Sequence, residues 1–149
     1  MIFATDGGYD AGEQSHAVLL ELRRTLSRHP AVREARGEPD GQFTRVRADL
    51  NPGLFGGSAS SGTLTIRWFA GESREARPEF SFHYSDKAGF DCGWHHEPNP
   101  HVDGWAHYQA RESPREEYEY EGVSFGTVQP VRVLWEVLER LEETLQSRV

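Results

Sequence analysis

The stretch Phe80-Ser81-Phe82-His83-Tyr84-Ser85-Asp86-Lys87-Ala88-Gly89-Phe90-Asp91-Cys92-Gly93-Trp94-His95 decides the fold. Apolar and polar residues alternate on both sides of Lys87-Ala88-Gly89, the mark of two half-buried strands. A three-residue loop with Gly89 in the left-handed conformation, a type I turn plus bulge, sets their pairing. Asp86 then faces Phe90, Tyr84 faces Cys92 and Phe82 faces Trp94, so every aromatic falls on one face. The opposite face collects Ser81, His83, Ser85, Asp91 and His95. A slip of one residue would mix the two sets, so burial selects this register. The aromatic face is core. The polar face is either solvated surface or the floor of a site, and its two imidazoles and one carboxylate favour the second.

Working outward, the same period of two recurs. Thr44, Val46, Ala48 and Leu50 alternate with Arg45, Arg47 and Asp49, and Leu64, Ile66 and Trp68 alternate with Thr63, Thr65 and Arg67. The Gly- and Ser-rich segment 51–62 between them reads as a flexible loop. Trp105–Arg111 and Tyr118–Phe125 supply a fifth and a sixth strand. Both ends are helical. Asp10-Ala11-Gly12-Glu13 is a capping-box pattern leading into Val18, Leu19, Leu22 and Leu26, and His29-Pro30 ends that helix. Pro130 opens a second helix, with Leu134, Val137, Leu138, Leu141 and Leu145 as its apolar stripe. The expected fold is α+β: a mostly antiparallel sheet of five or six strands packed on N- and C-terminal helices, since no βαβ alternation supports a parallel sheet.

The chain of 149 residues is expected to form one domain, 1–149, with a loose segment at 1–10. Acidic residues outnumber basic ones 24 to 16, for a formal charge of -8. That balance argues against a non-specific nucleic-acid coat protein or a polybasic membrane binder. No apolar run approaches the ~20 residues of a membrane span, and Met1-Ile2-Phe3-Ala4 is too short for a signal peptide. A cytoplasmic protein without a membrane partner is expected. The lone Cys92 has no partner for an intramolecular disulfide and is expected to face the core.

Four of the seven histidines, His95, His96, His101 and His107, fall within thirteen residues, among two Pro, an Asn and a Gly. The segment 94–108 reads as a loop led by Trp94, and loops on rigid scaffolds commonly carry function. Imidazole serves near neutral pH as acid, base or metal ligand. In the first chemistry, His96, His101 and His107 act as acid and base, with His83, Asp91 and His95 as a supporting floor; that logic cleaves RNA through its 2′-hydroxyl. In the second, His95, His96, His101 and His107 hold a divalent metal, although their spacing matches no metal motif. In a third reading the loop is a non-catalytic protein-binding or metal-binding regulatory surface, with Trp105 as its anchor. No cofactor is required by the first chemistry.

Other motifs are missing. Gly57-Ser58-Ala59-Ser60-Ser61-Gly62 does not make a G-x-S-x-G elbow, and no phosphate-cradling glycine loop occurs. Arg45, Arg47 and Arg67 would share one sheet face as a basic strip, most simply its solvated side. Glu112–Glu121, with five Glu, reads as an exposed acidic segment.

The order of an N-terminal helix, the strand Thr44–Leu50, the hairpin with its Asp86-Lys87-Ala88-Gly89 turn, the run Trp94-His95-His96-Glu97-Pro98-Asn99-Pro100-His101 and a Leu-rich last helix resembles the TumE-like family of prokaryotic toxins. The likeness covers 31–145 in pattern and 80–107 in specific residues. Gly93 stands where the family carries Arg, His95-His96 stand for Asp-Asn, and the later His triplet thins to Pro100-His101 and His107. The resemblance implies a toxin–antitoxin component, a cognate antitoxin protein as partner and an RNA target. It leaves a homodimer open.

Overall fold

The computed structural model describes residues 8–149; the expectation of a loose start at 1–10 falls mostly outside them. The order is α1 (Ala11–Leu26), β1 (Val32–Glu38), β2 (Arg45–Leu50), β3 (Gly62–Phe69), β4 (Glu79–Asp86), β5 (Asp91–His96), β6 (Ala106–Arg111), β7 (Glu119–Val123) and α2 (Pro130–Ser147). The seven strands form one antiparallel sheet in chain order. The fold is α+β as expected, with one strand more than the sequence suggested.

The extra strand is β1. Only Val32 and Ala35 are apolar in its Val-Arg-Glu-Ala-Arg-Gly-Glu run, and a bulge between Val32 and Glu34 breaks the period of two. It is an edge strand, where charge blunts unwanted pairing. The segment 51–62 is also more ordered than its composition suggested: Pro52–Phe55 forms a 3-10 turn capped by the Asn51 side chain, and Phe55 is buried against His29.

Both helices lie on one face. Asp10 caps α1 by accepting the Glu13 amide at 2.8 Å, and the helix packs on β1, β2, β3 and α2. Leu19, Leu22 and Leu26 of α1 and Val133, Leu134, Val137, Leu138, Leu141 and Leu145 of α2 meet Val46, Ala48, Leu50, Leu64, Ile66, Phe82, Tyr84 and Trp94 in a continuous core. Burial on this scale, at about 25 cal/mol per Å² of apolar surface, is the main term that orients the sheet.

The β4–β5 hairpin has the expected register. Phe82 opposes Trp94, Tyr84 opposes Cys92 and Ser85 opposes Asp91. The Asp86 amide donates to Phe90 O at 3.0 Å, and Gly89 has φ +97°. Cys92 is buried in the core, which pushes its thiol up to about 12. The acidic segment is partly strand: Glu119 and Glu121 lie on β7, the second edge. Among the described residues no helix is long and apolar enough to cross a membrane.

Candidate active site

Because strand side chains alternate, the residues between the core positions all point away from the helices. Cross-strand pairing aligns them in rows. Ser81, His95 and His107 stand side by side on β4, β5 and β6, and so do His83, Gly93 and Gln109, and Ser85, Asp91 and Arg111. The helix-free face therefore gathers His83, Asp91, His95 and His107 at its centre.

Asp91 is 6% exposed and carries three hydrogen bonds. His83 Nε2–H donates to Oδ1 at 3.0 Å, Arg111 Nε–H donates to Oδ2 at 2.8 Å, and the Tyr118 hydroxyl donates to the same carboxylate. Burial alone would raise this carboxyl, but the three donors outweigh it and hold the group below the usual carboxylate range. The Tyr118 hydroxyl is pushed up to about 12 by burial and by that carboxylate. The Arg111 guanidinium also lies 4.3 Å over the Tyr118 ring.

The imidazoles follow one rule. His83 uses Nε2 on Asp91, His95 uses Nδ1 on Glu97 Oε1 at 3.2 Å, and His107 uses Nε2 on Gln109 Oε1 at 3.0 Å. Each acceptor draws the ring proton to the bonded nitrogen and leaves a lone pair on the other. Gln109 also hydrogen-bonds Tyr118, so a chain of polar groups links His107 through Gln109 and Tyr118 to Asp91 and His83. His95 and His107 stack with centroids 4.7 Å apart and planes 10° apart. Their lone-pair atoms, His95 Nε2 and His107 Nδ1, are buried without a partner. Burial lowers the His83 and His95 pKa values below the ordinary imidazole value; for His95 the neighbouring His107 adds to the effect while Glu97 opposes it.

Gly93 makes this crowding feasible. A Cβ there would lie 2.4 Å from His83 Nδ1 and 3.1 Å from His95 Nε2. Beside His95 a cleft of about 570 Å³ opens, lined by Glu97, Ser81, Arg67 and Phe69 and, on α1, by Gly12 and Ser15.

Two expectations are corrected. His95, His96 and His107 are strand residues rather than loop residues, because β5 runs to His96 and β6 begins at Ala106. The period of two then turns His96 to the helix side. There it stacks on Phe80 (4.7 Å), donates from Nδ1 to Pro78 O (2.8 Å) and lies 3.1 Å from the Trp105 indole nitrogen. Trp105 is itself held under Arg77, 4.6 Å from the ring centre. His96 is thus separated by the sheet from the other imidazoles, and the set His95, His96, His101 and His107 does not converge. Among the described residues no group of three or more His, Cys, Asp or Glu is arranged to hold a metal.

His101 is in the connecting loop and stacks on Tyr120 at 4.3 Å, while Tyr120 leans against His107 at 5.9 Å. Sequence reasoning missed Arg111, Tyr118, Gln109 and Tyr120. Asp91–Arg111 and Gln109–Tyr120 are cross-strand pairs, but the loops before β6 and β7 are too long to set a register by turn chemistry.

Comparison of the chain with protein-family models, curated proteins and solved structures finds no match.

Proposed function

We propose that the protein is a histidine-dependent ribonuclease whose activity makes it the toxin-like component of a toxin–antitoxin pair. The observation that carries this reading is the pattern of three imidazoles on adjacent strands, each with one nitrogen engaged by Asp91, Glu97 or Gln109 and the other free of any protein partner. Such groups are oriented and have their tautomer set before a substrate arrives, which is what general acid–base catalysis requires.

His83 Nδ1 takes the proton of a 2′-hydroxyl. Asp91 holds the ring and stabilises the imidazolium that forms, and Arg111 and Tyr118 keep Asp91 ionised. The 2′-oxygen attacks phosphorus, the bond from phosphorus to the 5′-oxygen breaks, and His95, protonated and paired with Glu97, gives that oxygen its proton. The products are a 2′,3′-cyclic phosphate and a 5′-hydroxyl. His107 tunes His95: the second imidazole at stacking distance disfavours a charge on the first. The step needs no metal, so cleavage persists in chelator.

The test is incubation of the purified chain with a mixed RNA and analysis of the ends by mass spectrometry. Cyclic phosphates are expected from the wild type, with His83→Ala and His95→Ala each slowing cleavage about 10²–10⁴-fold in protein that circular dichroism shows to be folded. Intact RNA with the wild type, or full activity in the double variant, sinks the ribonuclease reading. Induced expression at matched soluble levels tests the toxin role: growth arrest by the wild type but not by the double variant is expected. Arrest that a neighbouring gene product relieves would identify the cognate antitoxin.

A further inference from the structure

Two arginines on the open face stand apart from every ion pair. Arg36 is tied to Glu34, Glu38 and Asp49, and Arg45 to Glu38. Among the described residues Arg47 and Arg67 enter no such pair, although Arg47 contributes to the field at Glu38. Their places in the register are repeated. Arg47, Thr65 and His83 are direct cross-strand partners on β2, β3 and β4, and Arg67, Ser81 and His95 are direct cross-strand partners on β3, β4 and β5. Each row runs guanidinium, hydroxyl, imidazole, with neighbouring backbones ~4.8 Å apart. Both guanidiniums therefore sit two strands from the imidazole that would do the chemistry, on the same side of it.

Arg67 sits where two clefts meet. The cleft of about 570 Å³ at His95 and a second of about 510 Å³ along Arg36, Glu38 and Arg45 share Thr44 and Arg67. On the β1–β2 half of this face Glu34, Glu38 and Asp49 are already engaged by Arg36 and Arg45, which leaves Arg47 and Arg67 as the cations open to an incoming phosphate.

We infer that the site takes a single-stranded polynucleotide laid across the strands, with phosphates on one side of the scissile bond held by Arg47 and Arg67. This deepens the ribonuclease reading and rests on it for the position of the scissile bond. Single-strandedness follows from depth. The His83 and His95 side chains are only 28% and 16% exposed, low on the sheet surface, and the phosphates of a stiff duplex stay on the outside of its cylinder. A flexible strand can lower one phosphate into the cleft beside His95 and Arg67. On the far side of the imidazoles, Tyr120 with His101 stacked on it offers an aromatic shelf, and at the cleft Phe69 stands 40% exposed. Unpaired bases stack on such rings, with ~1–3 kcal/mol for each base–ring contact.

The test uses wild-type protein with a labelled DNA oligonucleotide, which lacks the 2′-hydroxyl and stays intact under the proposed chemistry, as a single strand and as a duplex of the same sequence. Binding is followed by fluorescence anisotropy across a salt series. Single-stranded DNA is expected to bind at least tenfold more tightly than the duplex. Replacing both arginines (Arg47→Gln with Arg67→Gln) is expected to weaken binding and to lower the slope of log affinity against log salt by about 1.4, the loss of two single-strand phosphate contacts. Arg132→Gln, on the helix side, should change neither, and a lysine pair at 47 and 67 should restore the slope. Equal or tighter duplex binding, an unchanged slope in the glutamine pair, or equal competition by polyglutamate would overturn the inference. Because no turnover is needed, arginine-dependent single-strand binding with inert RNA would sink the ribonuclease reading alone. Cleavage of RNA with no preference for the single strand and no effect of the glutamine pair would sink this one alone.

Discussion

Gly93 is the residue on which the candidate site turns. Its missing Cβ is the space into which His83 Nδ1 and His95 Nε2 project, and a methyl group there would lie 2.4 Å from the first. Backbone cannot yield in the middle of a seven-stranded sheet, so the His83 ring must swing and its bond to Asp91 must break. Gly93→Ala is therefore expected to slow the proposed cleavage about as much as His83→Ala, and to lower stability by about 1–3 kcal/mol because the buried Asp91 loses one of its donors. The check is single-turnover kinetics together with NMR titration of the His83 ring, whose pKa should change as its surroundings open. Much of this was legible in the sequence. The alternation around Lys87-Ala88-Gly89 places His83, Asp91 and His95 on one face, and the same alternation carried one residue further sends His96 to the other. The composition of 94–108 as a whole reads as loop and hides that parity, although Pro, Asn and Gly mark the loop only from Pro98 onward.

At the scale of elements, hairpins with short turns are readable and edges are not. The β4–β5 register follows from a turn in which Gly89 adopts φ +97° and from aromatic residues that must share a face. A Cβ at Gly89 would meet nothing nearer than Glu112 O at 3.6 Å. Space is not the constraint, and the whole cost of Gly89→Ala is conformational: about 1–2 kcal/mol for an L residue held in the left-handed region, measured from urea unfolding. Phe82→Ala, fully buried in the same hairpin, is expected to cost about 3–5 kcal/mol through lost transfer energy and the cavity left behind. A larger loss at Gly89 than at Phe82 would show that the turn, rather than the core, organises the hairpin. The β1 strand shows why the strand count fell short: its bulge and charges erase the period that identifies a half-buried strand. The β5–β6 and β6–β7 connections hid the other half of the site. Arg111, Tyr118 and Gln109 reach Asp91 and His107 only through a register that no short turn announces.

For the molecule as a whole, proton binding couples the candidate site to stability. Burial lowers the pKa values of His29, His83, His95 and His96 in the folded chain. The unfolded chain, with ordinary imidazoles near ~6.5, then binds more protons than the native one between the lowered values and that point. Stability consequently rises with pH through this interval, is fully present above it, and is lost as the solution is acidified. The expected result is a urea midpoint that climbs between about pH 5 and 7, less steeply in a His83→Gln, His95→Gln double variant. A flat or falling midpoint would mean that the native rings accept protons as readily as the unfolded ones. The proposed reaction pulls the other way. In it His83 acts neutral and His95 protonated, so the rate is expected to be bell-shaped and to peak below the ordinary imidazole value, because both pKa values are lowered. Activity is thus expected to be highest where the fold is already giving up part of its stability. A rate that instead peaks above pH 7 would separate the two effects and show that the proton donor is a group other than His95.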